Sequence, residues 1–331
     1  MAGPLEGIRV LEFGSFVAGP WGGQLLADMG ADVVKIEPPL GDPWRHASPF
    51  APNESRVFVP LNRGVRSICL DLKQDSAQKA LRKLIESADG IISNNRRDTA
   101  VKLGIDYETV SKINPGIVYV DITAYGPKGK MADMPGFDLI LQSYTGAVSS
   151  EGKINDNGQP EVVWSSSYID FSTGYAAANG ILAGIVGRSK TGKGQLVSTS
   201  LLSNAIAMQT LRIADIEGVP APAKTWYENV YPELVKQGAG YKEIQDSYQQ
   251  AVRPLIYRCY YRAYSTSDGG LALGTLAVHA RIRLIGVLGL KDPRLTDPDY
   301  DDTTPEAQKM GLALVEEFER IFASNTTEYW H

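Results

Sequence analysis

The chain has 331 residues, of which 43% are hydrophobic, with 33 basic against 38 acidic side chains. A net charge of −5 gives no electrostatic reason to expect nucleic acid or an anionic membrane as partner. Two cysteines, Cys69 and Cys259, make neither a disulfide framework nor a thiolate metal cluster and suit a reducing cytoplasm; His46, His279 and His331 are too scattered for a histidine metal site.

The first residues lack the basic-then-apolar order of a signal peptide. Ile8–Phe13 is a short apolar run ending at Gly14 and predicts a buried strand. Gly19–Gly30 predicts a helix, with Pro20 in its first turn and Gly30 past its end. Val33–Ile36 predicts the next strand, and an irregular stretch rich in Pro, Asn and Arg runs from Glu37 to Asn62 before a strand at Ser67–Leu72. Ala77, Ala80, Leu81, Leu84, Ile85 and Ala88 form one stripe of an amphipathic helix over 75–88. Strands follow at Gly90–Ile92 and Ile117–Ile122, with a short helix between them capped by Asp106. This alternation predicts a parallel sheet with crossover helices.

Phe171–Gly187 is almost uncharged and full of Gly and Ala, yet short of the roughly 20 apolar residues of a membrane span; it predicts a buried, closely packed helix. Ser200–Gly218 predicts one long helix. The Pro-, Tyr- and Gly-rich residues 219–254 read as a connector. Tyr257–Ser267 alternates with aromatics and turns at Asp268-Gly269-Gly270 into Leu271–Leu273, the opening of a small α+β domain. Asp292, Asp297, Asp299, Asp301, Asp302 and Glu306 read as a solvated acidic loop before a last helix from Pro305.

Generic motifs add little. No GxGxxG follows the first strand, and Gly14 to Gly19 has the wrong spacing. Thr191-Gly-Lys-Gly-Gln195 resembles part of a phosphate loop, but it leads from helix to strand, the reverse of a P-loop, and reads as a turn.

Several segments together resemble the family III CoA-transferases, the CaiB/BaiF group that includes formyl-CoA transferase and carnitine CoA-transferase. They are Leu5 to Gly14 with Ala18-Gly-Pro20, Leu26 to Glu37, Asn62-Arg63, Arg66-Ser67, Leu70 to Lys73, Leu103-Gly104, Asn114-Pro115, Pro135 to Gln142, Asp170 before a small-residue helix, Arg188, Thr191 to Gln195 and Tyr264 to Gly269. The resemblance implies an α/β fold: a Rossmann-like large domain with a parallel sheet over 1–218, the connector 219–254 and a smaller α+β domain over 255–331. It also implies an interlocked ring homodimer in the cytoplasm, with no tightly bound cofactor and no metal, nucleic acid or membrane as partner. The substrates implied are an acyl-CoA and a free carboxylic acid.

By the same resemblance Asp170 is the catalytic carboxylate. A carboxylate can form and release a mixed anhydride, which is what moving CoA between two acids requires. Its place at the predicted helix start favours the ionised form, and a plain helix-capping aspartate is the alternative. CoA is expected against Val17 and Ala18 and along Asn94, Asn95, Arg96, Arg97 and Lys102. The three basic residues are suited to phosphates or else form a solvated face. Asn95 and Arg97-Asp98 depart from the family's aromatic and Pro-Gly. Phe137 stands where the racemase branch has histidine, and phenylalanine can be neither acid nor base. Trp164 and Tyr168 suggest an aromatic pocket or core packing. The chain ends at Tyr329-Trp330-His331, inside a helix after which the family normally returns to its large domain, so either the chain is a fragment or its dimer closes differently. Gly238-Ala-Gly240 is the nearest counterpart to the family's glycine-rich covering loop. The leading reading is CoA transfer through an aspartyl mixed anhydride and an enzyme–CoA thioester; the alternatives are an acyl-CoA racemase or isomerase of the same fold and a catalytically silent truncated CoA-binding subunit.

Overall fold

The computed structural model describes residues 3–253, 255–301 and 304–331. Tertiary contacts divide the chain into two compact units, one ending at Asp215 and the other beginning at Ile216.

In the first unit the elements run β1 (Arg9–Phe13), α1 (Ala18–Asp28), β2 (Asp32–Glu37), a small hairpin of β3 (Pro49–Ala51) and β4 (Glu54–Ser55), β5 (Arg66–Cys69), α2 (Asp75–Glu86), β6 (Gly90–Ser93), α3 (Arg97–Leu103), α4 (Tyr107–Ile113) and β7 (Val118–Thr123). Then come α5 (Asp138–Tyr144), α6 (Ala147–Glu151), α7 (Tyr168–Thr191), β8 (Gln195–Ser200), α8 (Leu201–Met208) and α9 (Thr210–Ile213). Six strands form one parallel sheet in the order β5-β2-β1-β6-β7-β8. Both sheet faces are covered, which is why its central strands read as continuous apolar runs. Val10, Val33, Ile92, Val118 and Val120 pack with residues of α1 and α7 on one face; Leu11, Phe13, Val34, Ile91, Ile117 and Tyr119 pack with those of α2 and α4 on the other. The expected α/β class with a Rossmann-like parallel sheet is what the unit has.

The Gly/Ala content of α7 has a concrete cause. A Cβ on Gly174 would lie 2.9 Å from the Ala18 carbonyl oxygen and 2.8 Å from a ring carbon of Trp21, so only glycine lets α1 and α7 approach this closely. Gly192, with φ of +71°, ends α7, and Thr191 to Gln195 is the turn into β8. Among the described residues no helix is long and apolar enough to cross a membrane.

The second unit holds α10 (Pro222–Asn229), α11 (Tyr231–Lys236), α12 (Tyr241–Val252), α13 (Leu255–Tyr260), the antiparallel hairpin β9 (Tyr261–Ser265) and β10 (Gly270–Gly274), α14 (Val278–Leu288), α15 (Pro305–Ala323) and α16 (Thr327–Trp330). Its core gathers Cys259, Tyr260, Tyr264, Ile285, Leu314, Val315, Phe318 and Phe322.

Local readings differ from this structure in four places. The helix expected over 200–218 is two short ones. The break falls at Gln209, whose amide turns to Thr145 Oγ1 (2.9 Å) and the Ala205 carbonyl (3.1 Å). The segment read as a connector carries three helices, because Trp226 is buried against Tyr227, Tyr231 and Tyr248 and bonds Ser247. The first part of the aromatic run, to Tyr260, is helical. Asp292 is not solvated: it is buried, accepts from Tyr260 and pairs with Arg294 at 2.7 Å. Asp302 of that acidic loop and Pro254 of the connector lie outside the described residues.

Candidate active site

The sheet order reverses between β1 and β6. In open parallel sheets, ligands bind beyond the carboxyl ends of the strands at such a switch point. Here a cavity of about 580 Å³ opens there, all of it within the first unit. Its walls are the segment after β1 (Ser15 to Ala18), the segment after β6 (Asn94 to Thr99), the end of β7, the stretch from Ala132 to Phe137, and Asp170 with Leu201.

The loop after β1 is held from below. Lys35, on β2, is buried; it hydrogen-bonds Glu12 (2.9 Å) and the Gly14 carbonyl (2.8 Å) and forms an ion pair with Asp42 (3.1 Å). Burial alone would lower the Lys35 ammonium, but Glu12 and Asp42 outweigh it and hold it above its ordinary value. Burial lifts the Glu12 carboxyl in spite of Lys35. Beside this cluster Phe16 takes a left-handed backbone, φ +65°, uncommon for a bulky residue. Its ring meets Trp44 and Phe137 edge-on at 5.7 and 5.8 Å.

Asp170 lies in the first turn of α7, half-buried, facing the cavity. The N-cap residue Ser167 makes no side-chain bond to that turn. The Asp138 carboxylate, from α5, accepts instead from the backbone N–H of Ile169 (2.8 Å) and of Asp170 (3.2 Å). Burial, with the negative charge of Asp138 second, pushes the Asp170 carboxyl up to about 7. The expectation that the helix start favours the ionised form is therefore outweighed by burial first and the charge of Asp138 second. Among the described residues no donor hydrogen-bonds the Asp170 carboxyl oxygens.

Of the other expected site residues, Val17, Ala18, Asn94, Asn95, Arg96 and Arg97 line the same cavity as Asp170, while Lys102 does not. Asn94 and Asn95 are committed to the loop. The Asn94 amide accepts from Ser15 N (3.0 Å) and donates to Ser15 O (2.8 Å); that of Asn95 donates to Phe13 O (2.7 Å). Arg97 reaches the Pro127 carbonyl (3.1 Å) and Asp121 (3.5 Å). Exposed Arg96 and Lys102 each sit 3.5 Å from Asp98. The aromatic lining comes from Phe16 and Phe137; Trp164 is 83% exposed and Tyr168 packs against the core. Gly238 to Gly240 is the turn between α11 and α12 in the second unit. Among the described residues no group of three His, Cys, Asp or Glu is arranged to hold a metal.

Sequence reasoning assigned no role to Asp138 or Phe16. One signal pointed to Asp138: Asp138, Leu141 and Gln142 share the i, i+3, i+4 buried face of α5, and two of the three are polar. Polar groups on a buried face require partners.

Known proteins resemble the chain along most of its length. It is 35% identical over 250 residues to the succinate–glutarate CoA-transferase of Agrobacterium fabrum, covering 72% of this chain and 62% of the relative. It is 31% identical to the mouse succinyl-CoA:glutarate CoA-transferase, covering 99% of this chain and 69% of the relative. The crystal structure of Rv3272 from Mycobacterium tuberculosis superposes with a TM-score of 0.74 at 26% identity, covering 99% of this chain and 79% of that one. The alignment thus spans about six tenths of the Agrobacterium relative's length. Residues 5–331 match CoA-transferase family III. With the parallel sheet and its switch-point cavity, these likenesses establish that the chain belongs to CoA-transferase family III.

Proposed function

We propose that the protein transfers CoA from an acyl-CoA thioester to a free carboxylic acid, with Asp170 as the nucleophile. The observation that supports this most is a half-buried carboxyl, with no hydrogen-bond donor on it among the described residues, facing a switch-point cavity alongside Val17 and Ala18. An Asp170 oxygen attacks the thioester carbonyl carbon; the C–S bond breaks, CoA leaves as thiolate, and an aspartyl–acyl anhydride remains. The thiolate attacks Asp170 Cγ, the donor acid departs as carboxylate, and an enzyme–CoA thioester forms. The acceptor carboxylate then attacks Cγ and releases the thiolate, leaving an aspartyl–acceptor anhydride. The thiolate takes the acceptor's acyl group, which restores Asp170. No redox step or net proton change is involved.

CoA lies along Val17, Ala18, Arg96 and Arg97, while Asn94 and Asn95 shape the loop it meets. Racemisation is disfavoured because Phe137, on the cavity wall, carries no titratable proton. An interlocked homodimer is the assembly we expect, and two free cysteines accord with the cytoplasm.

The test combines an acyl-CoA donor panel with free acids, beginning with succinyl-CoA and glutarate, read by mass spectrometry. CoA exchange is expected, together with a hydroxylamine-trapped adduct on Asp170. Absence of exchange across the panel, or trapping elsewhere than Asp170, overturns the proposal.

A further inference from the structure

We infer that Asp138 is a positioning residue for Asp170: it caps the first turn of α7 from the neighbouring helix and imposes a negative field on the nucleophile. This rests on the reading of Asp170 given above.

A helix start leaves N–H groups without intrahelical partners, and those of the second and third residues are normally taken by the N-cap side chain. Here they go to one oxygen of Asp138. Its other oxygen accepts from Gln142 Nε2. Gln142 is fixed in turn, accepting from Val163 N (2.9 Å) and donating to Val163 O (3.2 Å). Asp138 is 7% exposed and Gln142 1%. The carboxylate therefore has a fixed aim, and no cation is bonded to it among the described residues.

That arrangement has a chemical result. With the helix N–H groups occupied and a like charge beside it, the Asp170 carboxylate is less stabilised than a plain helix-start aspartate. A less stabilised carboxylate is more basic and more nucleophilic.

Other charged or titratable groups near the cavity have other partners or are exposed. On α7, burial first and then Asp138 and Glu151 raise the Tyr168 hydroxyl, which stays neutral. Beyond β6, Arg96 faces Asp98 and Arg97 faces Asp121 and Pro127. Asp133 lies on the exposed stretch before Phe137. Of all these, Asp138 is the charge that bears on Asp170.

The experiment is the pH profile of kcat/KM for wild type, Asp138→Asn and Asp138→Ser. Ionised Asp170 is the reactive form, so wild type should lose activity as pH falls through about 7. Both variants are neutral and both still offer an acceptor to α7. Their acid limb should move down by about one pH unit. A purely structural role would lower turnover at every pH without moving the limb, and an unmoved limb overturns the inference.

Asp170 is also titrated by carboxyl-carbon NMR, assigned with Asp170→Asn, in wild type and in whichever variant folds by circular dichroism. A titration near 7 in wild type that falls in the variant supports the inference; the same titration in both, or one near the ordinary aspartate value in wild type, overturns it. Because this reads a proton and not turnover, it remains decisive if trapping shows that Asp170 is not the nucleophile.

Discussion

The loop after β1 and the first turn of α7 face one cavity, yet they are held by opposite arrangements of charge. Beneath the loop a buried ammonium meets two carboxylates, and two asparagine amides tie the backbone. At the start of α7 one carboxylate is set beside another with no cation bonded to either among the described residues. A buried cation is supplied where the backbone must keep a shape that Phe16 alone would not prefer. None is bonded, among the described residues, at the carboxyl proposed to react. Perturbed carboxyls mark functional sites for this reason.

The largest effect that would break this contrast is at the reactive end. Asp170→Ala should lower CoA exchange by about a thousandfold or more, some 4 kcal/mol in activation free energy. CoA affinity by calorimetry should stay within about threefold, because the cradle is elsewhere. Retention of a tenth of wild-type exchange would remove Asp170 from the chemistry.

Next in size is the supporting end. Lys35→Met leaves Glu12 and Asp42 buried without their cation and should cost about 3 kcal/mol of stability or more in urea unfolding. Adding Glu12→Gln and Asp42→Asn should recover most of that loss, since the harm lies in the uncompensated charges. A single variant as stable as wild type would mean the loop does not depend on this cluster.

The smallest effect sharpens the ligand end. Arg96→Ala with Arg97→Ala should weaken CoA about tenfold, or 1.4 kcal/mol, and the difference should shrink in high salt. Lys102→Ala, outside the cavity, should change affinity by less than about twofold. If the double variant still distinguishes CoA from dephospho-CoA as wild type does, the arginines do not read the 3′-phosphate.

The contrast also explains what could be read in advance. The stripe of α2 and the β-branched runs of β6 and β7 are local patterns, and they sufficed for the parallel sheet. Val17, Ala18, Asn94 to Arg97 and Asp170 come together because each follows a strand's carboxyl end or lies in the first turn of a helix packed on the sheet. The roles of the asparagines were not legible, since an amide facing a ligand and one clamping Ser15 look alike in sequence. Asp138 was legible only as a polar residue at helical spacing from Leu141 and Gln142, since its partners lie 31 and 32 residues further along the chain. Gln209 broke a helix through a bond to Thr145, 64 residues away. Tertiary partners of this kind override local propensity and leave no periodic trace.

The pairing of β7 with β8 has a consequence for biosynthesis. Thr123 and Ser200 are partners in that ladder, and α5, α6 and α7 all lie between them. On the ribosome β1, α1 and β2 can associate early, through contacts close in sequence. The last strand of the sheet must wait for the whole intervening segment, and closing so long a loop slows folding. Asp138 and Asp170 both belong to that segment. α7, which carries Asp170, packs against both β7 and β8, so its final seat waits for that last strand, and a nascent chain halted before β8 would carry the β1 cradle with α7 only partly supported.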